Sequence, residues 1–216
     1  MLDVSMLAPV TALILGATAA AVLVDGARES GDLSAYDPAA STAVIAARST
    51  GFTWAAQALT FAGSTLALVP LTALLLAILA LRGRWRAMAA VAMGMSLSLG
   101  LTIVLKTTVG RLRPAATDVL GTVDTGYAFP SGHTLNATVF YGLLACLLIH
   151  GTRHRGARVG IAVGWLVLAL GVGVSRIYLG YHWMTDVMAG WSIGIAVLGS
   201  VLLASMLVRR GRAGPS

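Results

Sequence analysis

The 216-residue sequence predicts an all-α, polytopic membrane protein: a bundle of six transmembrane helices with a short extracytoplasmic helical region after the first helix. Composition is one reason. Hydrophobic residues make up 57% of the chain and charged residues only 11%, a balance foreign to soluble domains of this length. Distribution is the other: the apolar residues gather into six runs near the length of about 20 residues that crosses a bilayer core.

The runs cover residues 6–24, 64–81, 87–106, 134–149, 159–177 and 184–208. No Lys or Arg precedes the first run and Asp3 does, so it reads as a span rather than a cleaved signal peptide. Arg82, Arg84 and Arg86 lie between runs two and three, and Arg153, Arg155 and Arg158 between four and five. With Arg209, Arg210 and Arg212 after the last run, these mark a cytoplasmic face carrying both termini. Arg28, Arg48, Lys106, Arg111, Arg113 and Arg176 fall on the opposite side, with every acid except Asp3.

In the outer loop over 25–51, Asp37-Pro38 reads as an N-cap and first-turn proline opening a surface helix over 38–48, ended by Ser49-Thr50-Gly51. A second short helix over 53–61 is expected to lie in the interface with Trp54 as its anchor, and Trp85 and Trp183 also fall at run ends. Gly160 with Gly164, and Gly190 with Gly194, have the spacing that lets helices approach closely. With no repeat or flexible linker, residues 1–216 read as a single domain.

The net charge of +7 is scattered between apolar runs, with few aromatics to stack bases, which argues against a nucleic-acid partner. Cys146 is the lone cysteine, so there is no internal disulfide and no thiolate cluster for zinc or iron–sulfur chemistry.

Chemistry is concentrated in three polar clusters, which the predicted topology brings to one outer face: Lys106 with Arg113-Pro114, Pro130-Ser131-Gly132-His133, and Ser175-Arg176 with His182 and Asp186. Ionisable groups at membrane depth point to a functional site. Lys106, Arg113 and Arg176 supply three cations suited to a phosphate and its more highly charged transition state, although any one alone could be a helix-end residue snorkelling to headgroups. Ser131 can cap the helix that follows, whose free amides face an anion, and Gly132 lets the backbone come close to it. His133 is placed to protonate a leaving group. His182 and Asp186, four apart at a helix start, share a face, so the carboxylate can fix the ring tautomer and leave the other nitrogen as a nucleophile. A metal site is disfavoured by too many cations and too few carboxylates. His150 and His154 fall on the cytoplasmic side as solvated loop residues, and solvation is also the expected role of Asp118 and Asp124.

The residues resemble the type-2 phosphatidic-acid phosphatase superfamily. Its pattern is Lys, six residues, Arg-Pro; then Pro-Ser-Gly-His; then Ser-Arg, five residues, His, three residues, Asp, and all three parts stand here without a departure between residues 106 and 186. The resemblance implies a metal-independent phosphatase without a cofactor. His182 would attack phosphorus and form a phosphohistidine, Asp186 would hold its ring, and His133 would protonate the departing oxygen and then activate water. Lys106, Arg113, Ser131, Gly132 and Arg176 would hold the phosphoryl oxygens. The implied substrate is a lipid phosphate at the outer face of the cell membrane, with undecaprenyl diphosphate favoured on size and layout over phosphatidic acid or phosphatidylglycerol phosphate. Oxidative halide chemistry, as in the related but larger and soluble vanadium haloperoxidases, and a lipid-phosphate binding or transport protein without turnover are the alternatives. The paired histidines with Asp186 argue against the latter, because recognition alone needs neither a nucleophile nor an acid.

Overall fold

The computed structural model describes residues 4–29 and 31–211. They form eight α-helices, two short 3-10 turns and no strand: α1 (Val4–Glu29), α2 (Asp37–Ala46), α3 (Thr50–Ala62), α4 (Thr65–Leu81), α5 (Trp85–Val109), α6 (Gly132–Gly151), α7 (Arg155–Tyr178) and α8 (Met184–Gly211). Five of these, α1 and α5 to α8, are long and apolar enough to cross a membrane singly. A bent pair, α3 and α4, meeting at 44°, has that length and apolarity only when its two helices are taken together. Asp3 and Arg212 lie outside the described residues.

That bend has a local cause. Ser64 caps α4, its Oγ accepting from the Ala67 amide at 3.2 Å, so the chain starts a new helix rather than continuing α3. Gly63 sits at the break, where a Cβ would lie 2.4 Å from Val172 Cγ1 of α7. The short helix expected over 53–61 is thus the first limb of a broken element that lies against α7. Trp54 is exposed on it.

The core packs Leu135, Val139 and Leu143 of α6 against Ile193, Val197 and Val201 of α8, with Val91 of α5 and Leu23 of α1. Exposed Ile14, Leu15, Leu66, Leu74, Ile103 and Val167 turn outward instead. An apolar exterior of this kind suits a lipid solvent, because helices satisfy their backbone groups internally and leave only side chains to face hydrocarbon.

Without a hydrophobic drive between helices in lipid, close packing must hold the bundle together. Gly190 and Gly194 of α8 supply it, since a Cβ on either would lie 2.9 or 2.8 Å from the Cβ of Thr134 or Thr138 on α6. Two further glycines set α1 backbone to backbone on α8. A Cβ on Gly16 would lie 2.6 Å from the Ser192 carbonyl, and one on Gly199 would lie 2.6 Å from the Pro9 carbonyl. Gly160 and Gly164 behave otherwise: both face open space, so their spacing does not mark a helix contact here.

Gly199→Leu is therefore expected to destabilise the bundle by about 1–3 kcal/mol through overpacking. Gly164→Leu, in open space, should stay within about 0.5 kcal/mol of the parent. Thermal unfolding of the two variants in the same detergent checks the contrast.

Candidate active site

Four helix ends meet where the polar clusters come together. α5 delivers Lys106 in its last turn and stops at Gly110, whose positive φ of 67° lets its amide close on the Lys106 carbonyl at 3.1 Å. That C-cap turns the chain at once, so Arg111 and Arg113 come back over the site. α6 opens at Gly132, with Ser131 fully buried just before it. α7 ends at Tyr178, and Gly180, at φ +83°, makes the turn that carries His182 beneath the loop: a Cβ there would strike the Asp118 carbonyl at 2.2 Å.

His182 and Asp186 are both buried, with His182 Nδ1 3.3 Å from Asp186 Oδ2. The Trp183 amide donates to that same oxygen at 3.0 Å, in the manner of an acidic residue reaching back to cap the first turn of its own helix. The other nitrogen, Nε2, lies 3.4 Å from Arg113 Nη1. Burial foremost, then the charges of Arg176, Arg113 and Lys106, hold the His182 imidazole well below its ordinary pKa, which favours the uncharged ring. The third motif is also tied to the second, because the Ser131 amide donates to the Asp186 carbonyl at 3.0 Å.

Arg113 Nη1 also donates to the Tyr181 carbonyl at 2.9 Å. Arg176 is buried, donates from Nη1 to Thr60 Oγ1 at 2.9 Å, and holds its guanidinium carbon 3.8 Å from the centre of the Tyr181 ring. Its buried Nε has no hydrogen-bond partner among the described residues. Lys106 Nζ donates to the Tyr127 carbonyl. His133, half-buried, is the second residue of α6. All eight residues expected at the site are thus placed at one end of the bundle.

Three details differ from expectation. Asp37 does not cap its own helix: Tyr36 holds the cap position of α2, and the Asp37 carboxylate is buried against Arg111 and Thr185 instead. Ser131 occupies the cap position of α6 but makes no side-chain cap, because its Oγ accepts from Thr134 Oγ1 at 2.9 Å. Asp124 is not simply solvated. Its Oδ2 accepts from Arg176 Nη2 at 2.5 Å and lies 3.5 Å from Arg113 Nη1, bridging the two arginines.

Sequence spacing missed Arg111, Asp37 and Thr185. Arg111 donates from Nη1 to Asp186 Oδ1 at 2.8 Å and from Nη2 to Asp37 Oδ2 at 2.6 Å, joining two buried carboxylates. The available signal was a third cation two residues before Arg113, in a chain where charge is scarce. Beside this network a cavity of about 500 Å³ is lined by Arg28, Ala35, Pro38, Leu112 and Trp183 among others. Among the described residues no group of three or more His, Cys, Asp or Glu gathers in a metal-binding cluster.

An all-helical bundle with several helices apolar enough to cross a membrane, and a buried His–Asp pair gathered with Lys106, Arg113 and Arg176 at one end, defines an integral-membrane class of protein. The model of the PAP2 superfamily matches residues 84–210, and the chain belongs to that superfamily. It is 37% identical over 99 residues to phosphatidylglycerophosphatase B of Bacillus subtilis, covering 44% of this chain and 46% of that one. An undecaprenyl-diphosphatase of Sulfolobus acidocaldarius is 34% identical over 95 residues, 42% of each chain. The chain thus spans less than half the length of either curated relative. A crystal structure of a transmembrane PAP2-type phosphatidylglycerolphosphate phosphatase from Bacillus subtilis superposes with a TM-score of 0.74 at 26% identity, over 90% of this chain and 94% of that one. Aquifex aeolicus LpxE superposes with a TM-score of 0.61, also at 26% identity, over 75% and 92%.

Removing Arg111 leaves Asp37 and Asp186 buried without a counter-charge. Arg111→Ala is expected to cost about 3–5 kcal/mol of stability, seen as a lower unfolding midpoint than that of Arg113→Ala, whose partners are the more exposed Asp124 and a carbonyl.

Proposed function

We propose that this protein is a metal-independent lipid phosphate phosphatase with its site on the outer face of the membrane. The observation that carries this reading is the buried His182 ring, held at Nδ1 by Asp186 and facing Arg113 from Nε2. That is the posture of an oriented nucleophile beside a cation for the group it attacks.

In the proposed reaction Arg113, Arg176 and Lys106, with Ser131 and the Gly132 amide, hold the phosphoryl oxygens. His182 Nε2 forms a bond to phosphorus as the phosphorus–oxygen bond to the lipid breaks, and His133 gives its proton to the departing oxygen. His133 then takes a proton from water, whose oxygen attacks the phosphohistidine, releasing phosphate and returning His182 to its neutral form. Asp186 balances the positive charge that the ring carries between the two steps.

Asp124 now sits where an anion would bind, across Arg113 and Arg176. Substrate phosphate would displace its carboxylate and take over both guanidinium groups. Phosphatidylglycerol phosphate is favoured as substrate by the extent of the likeness to the Bacillus structure, which spans nearly the whole chain. Undecaprenyl diphosphate, favoured by size and layout and by the archaeal relative, is the second reading. Each presents a terminal phosphate at headgroup level on a long apolar tail.

Phosphate release by purified protein in chelator, measured over a panel of glycerolipid and polyprenyl phosphates, tests the proposal. His182→Ala should abolish release on every substrate, and His133→Ala should slow it by about 10² to 10⁴; undiminished release by His182→Ala overturns the assignment. Asp124→Asn should bind inorganic phosphate several-fold more tightly, read as a lower inhibition constant. The orientation is checked with a cysteine in the loop over 111–126, which an impermeant reagent should label in intact cells.

A further inference from the structure

The carboxylate that orients His182 is itself oriented from outside the three motifs. Asp37, 1% exposed, comes from α2 in the outer region between α1 and α3. Its Oδ1 accepts from the Thr185 amide at 3.0 Å, and its Oδ2 accepts from Thr185 Oγ1 at 2.5 Å and from Arg111 Nη2 at 2.6 Å. Arg111 Nη1 then donates to Asp186 Oδ1 at 2.8 Å and to Thr185 Oγ1 at 2.7 Å. Trp183 covers the guanidinium, whose carbon lies 5.8 Å from the ring centre, and its indole nitrogen donates to the Leu112 carbonyl at 2.9 Å.

We propose that Asp37, acting through Arg111, is a positioning residue that sets both the angle and the acceptor strength of Asp186 toward His182. This rests on the reading of His182 as nucleophile given above. Two physical effects converge. Asp186 Oδ1 is pinned by Arg111 and Oδ2 by the Trp183 amide, so the carboxylate cannot turn about its own bond, and the remaining acceptor direction of Oδ2 faces His182 Nδ1. Arg111 is also shared between two carboxylates. A guanidinium devoted wholly to Asp186 would draw its charge away from His182, and Asp37 pulls in the opposite direction, leaving Asp186 basic enough to support a ring that turns positive during attack. Asp37 further holds an amide in the first turn of α8, the helix that carries Asp186, so α2 and the catalytic carboxylate move as one piece.

The test uses the full chain, with Asp37→Asn and Asp37→Glu. Asp37→Asn keeps the shape and removes the charge. Its expected effect is a kcat lowered on the order of 10-fold to 100-fold, with KM and the inhibition constant for inorganic phosphate within about twofold of the parent. A merely structural role would lower the amount of folded enzyme and leave kcat per folded chain unchanged, and that result, or a wild-type kcat, overturns the proposal. Should the amide variant not fold, Asp37→Glu carries the test: it keeps the charge and displaces the carboxylate, and a wild-type kcat there overturns it equally. His182→Ala is measured in parallel. Activity in that variant sinks the nucleophile assignment, whereas its loss beside a wild-type Asp37→Asn sinks only the role given to Asp37.

Discussion

The buried carboxylate of Asp186 governs the end of the bundle where the polar clusters meet. An ionised carboxylate cannot be left without partners in such a place, since desolvation alone would cost several kcal/mol. Arg111 and the Trp183 amide meet that demand, and in doing so they fix the carboxylate in the direction His182 requires. The need to neutralise one charge and the need to aim one imidazole have the same solution.

The same balance extends across the site. Arg113 and Arg176, both beside the buried His182, would repel each other strongly in a dry environment, and Asp124 bridges them. Asp124 differs from Asp37 and Asp186 in being partly exposed, on a loop with little regular structure rather than inside a helix. A carboxylate of that kind is replaceable, whereas the two buried ones are part of the frame. The distinction separates a carboxylate partly open to solvent from the two whose contacts fix this end of the bundle.

The frame depends on the bundle. α8 carries Asp186 and packs closely on α6 through Gly190 and Gly194 and on α1 through Gly16 and Gly199, so small residues set the distances between the helices that deliver the site. Gly63 lets the end of α3 come close to Val172 of α7, and Thr60 beside that break accepts a hydrogen bond from Arg176. Close backbone packing replaces the hydrophobic drive that lipid cannot provide.

By itself the sequence determined the helical membrane architecture, the residues of the three motifs and the pairing of His182 with Asp186. Those features are local: run length decides a span, and a separation of four places two side chains on one helix face. Only the tertiary structure decided that Asp37 serves Arg111 and the start of α8 rather than the start of α2, that Asp124 closes on the two arginines, and that Gly190 and Gly194 meet a neighbour while Gly160 and Gly164 do not. An Asp before a proline has the same local signature whichever helix it caps, and a glycine pair has the same spacing on either face. What selects between them is the neighbour that folding brings within 3 Å, and for Asp37 that neighbour lies 148 residues away in the chain.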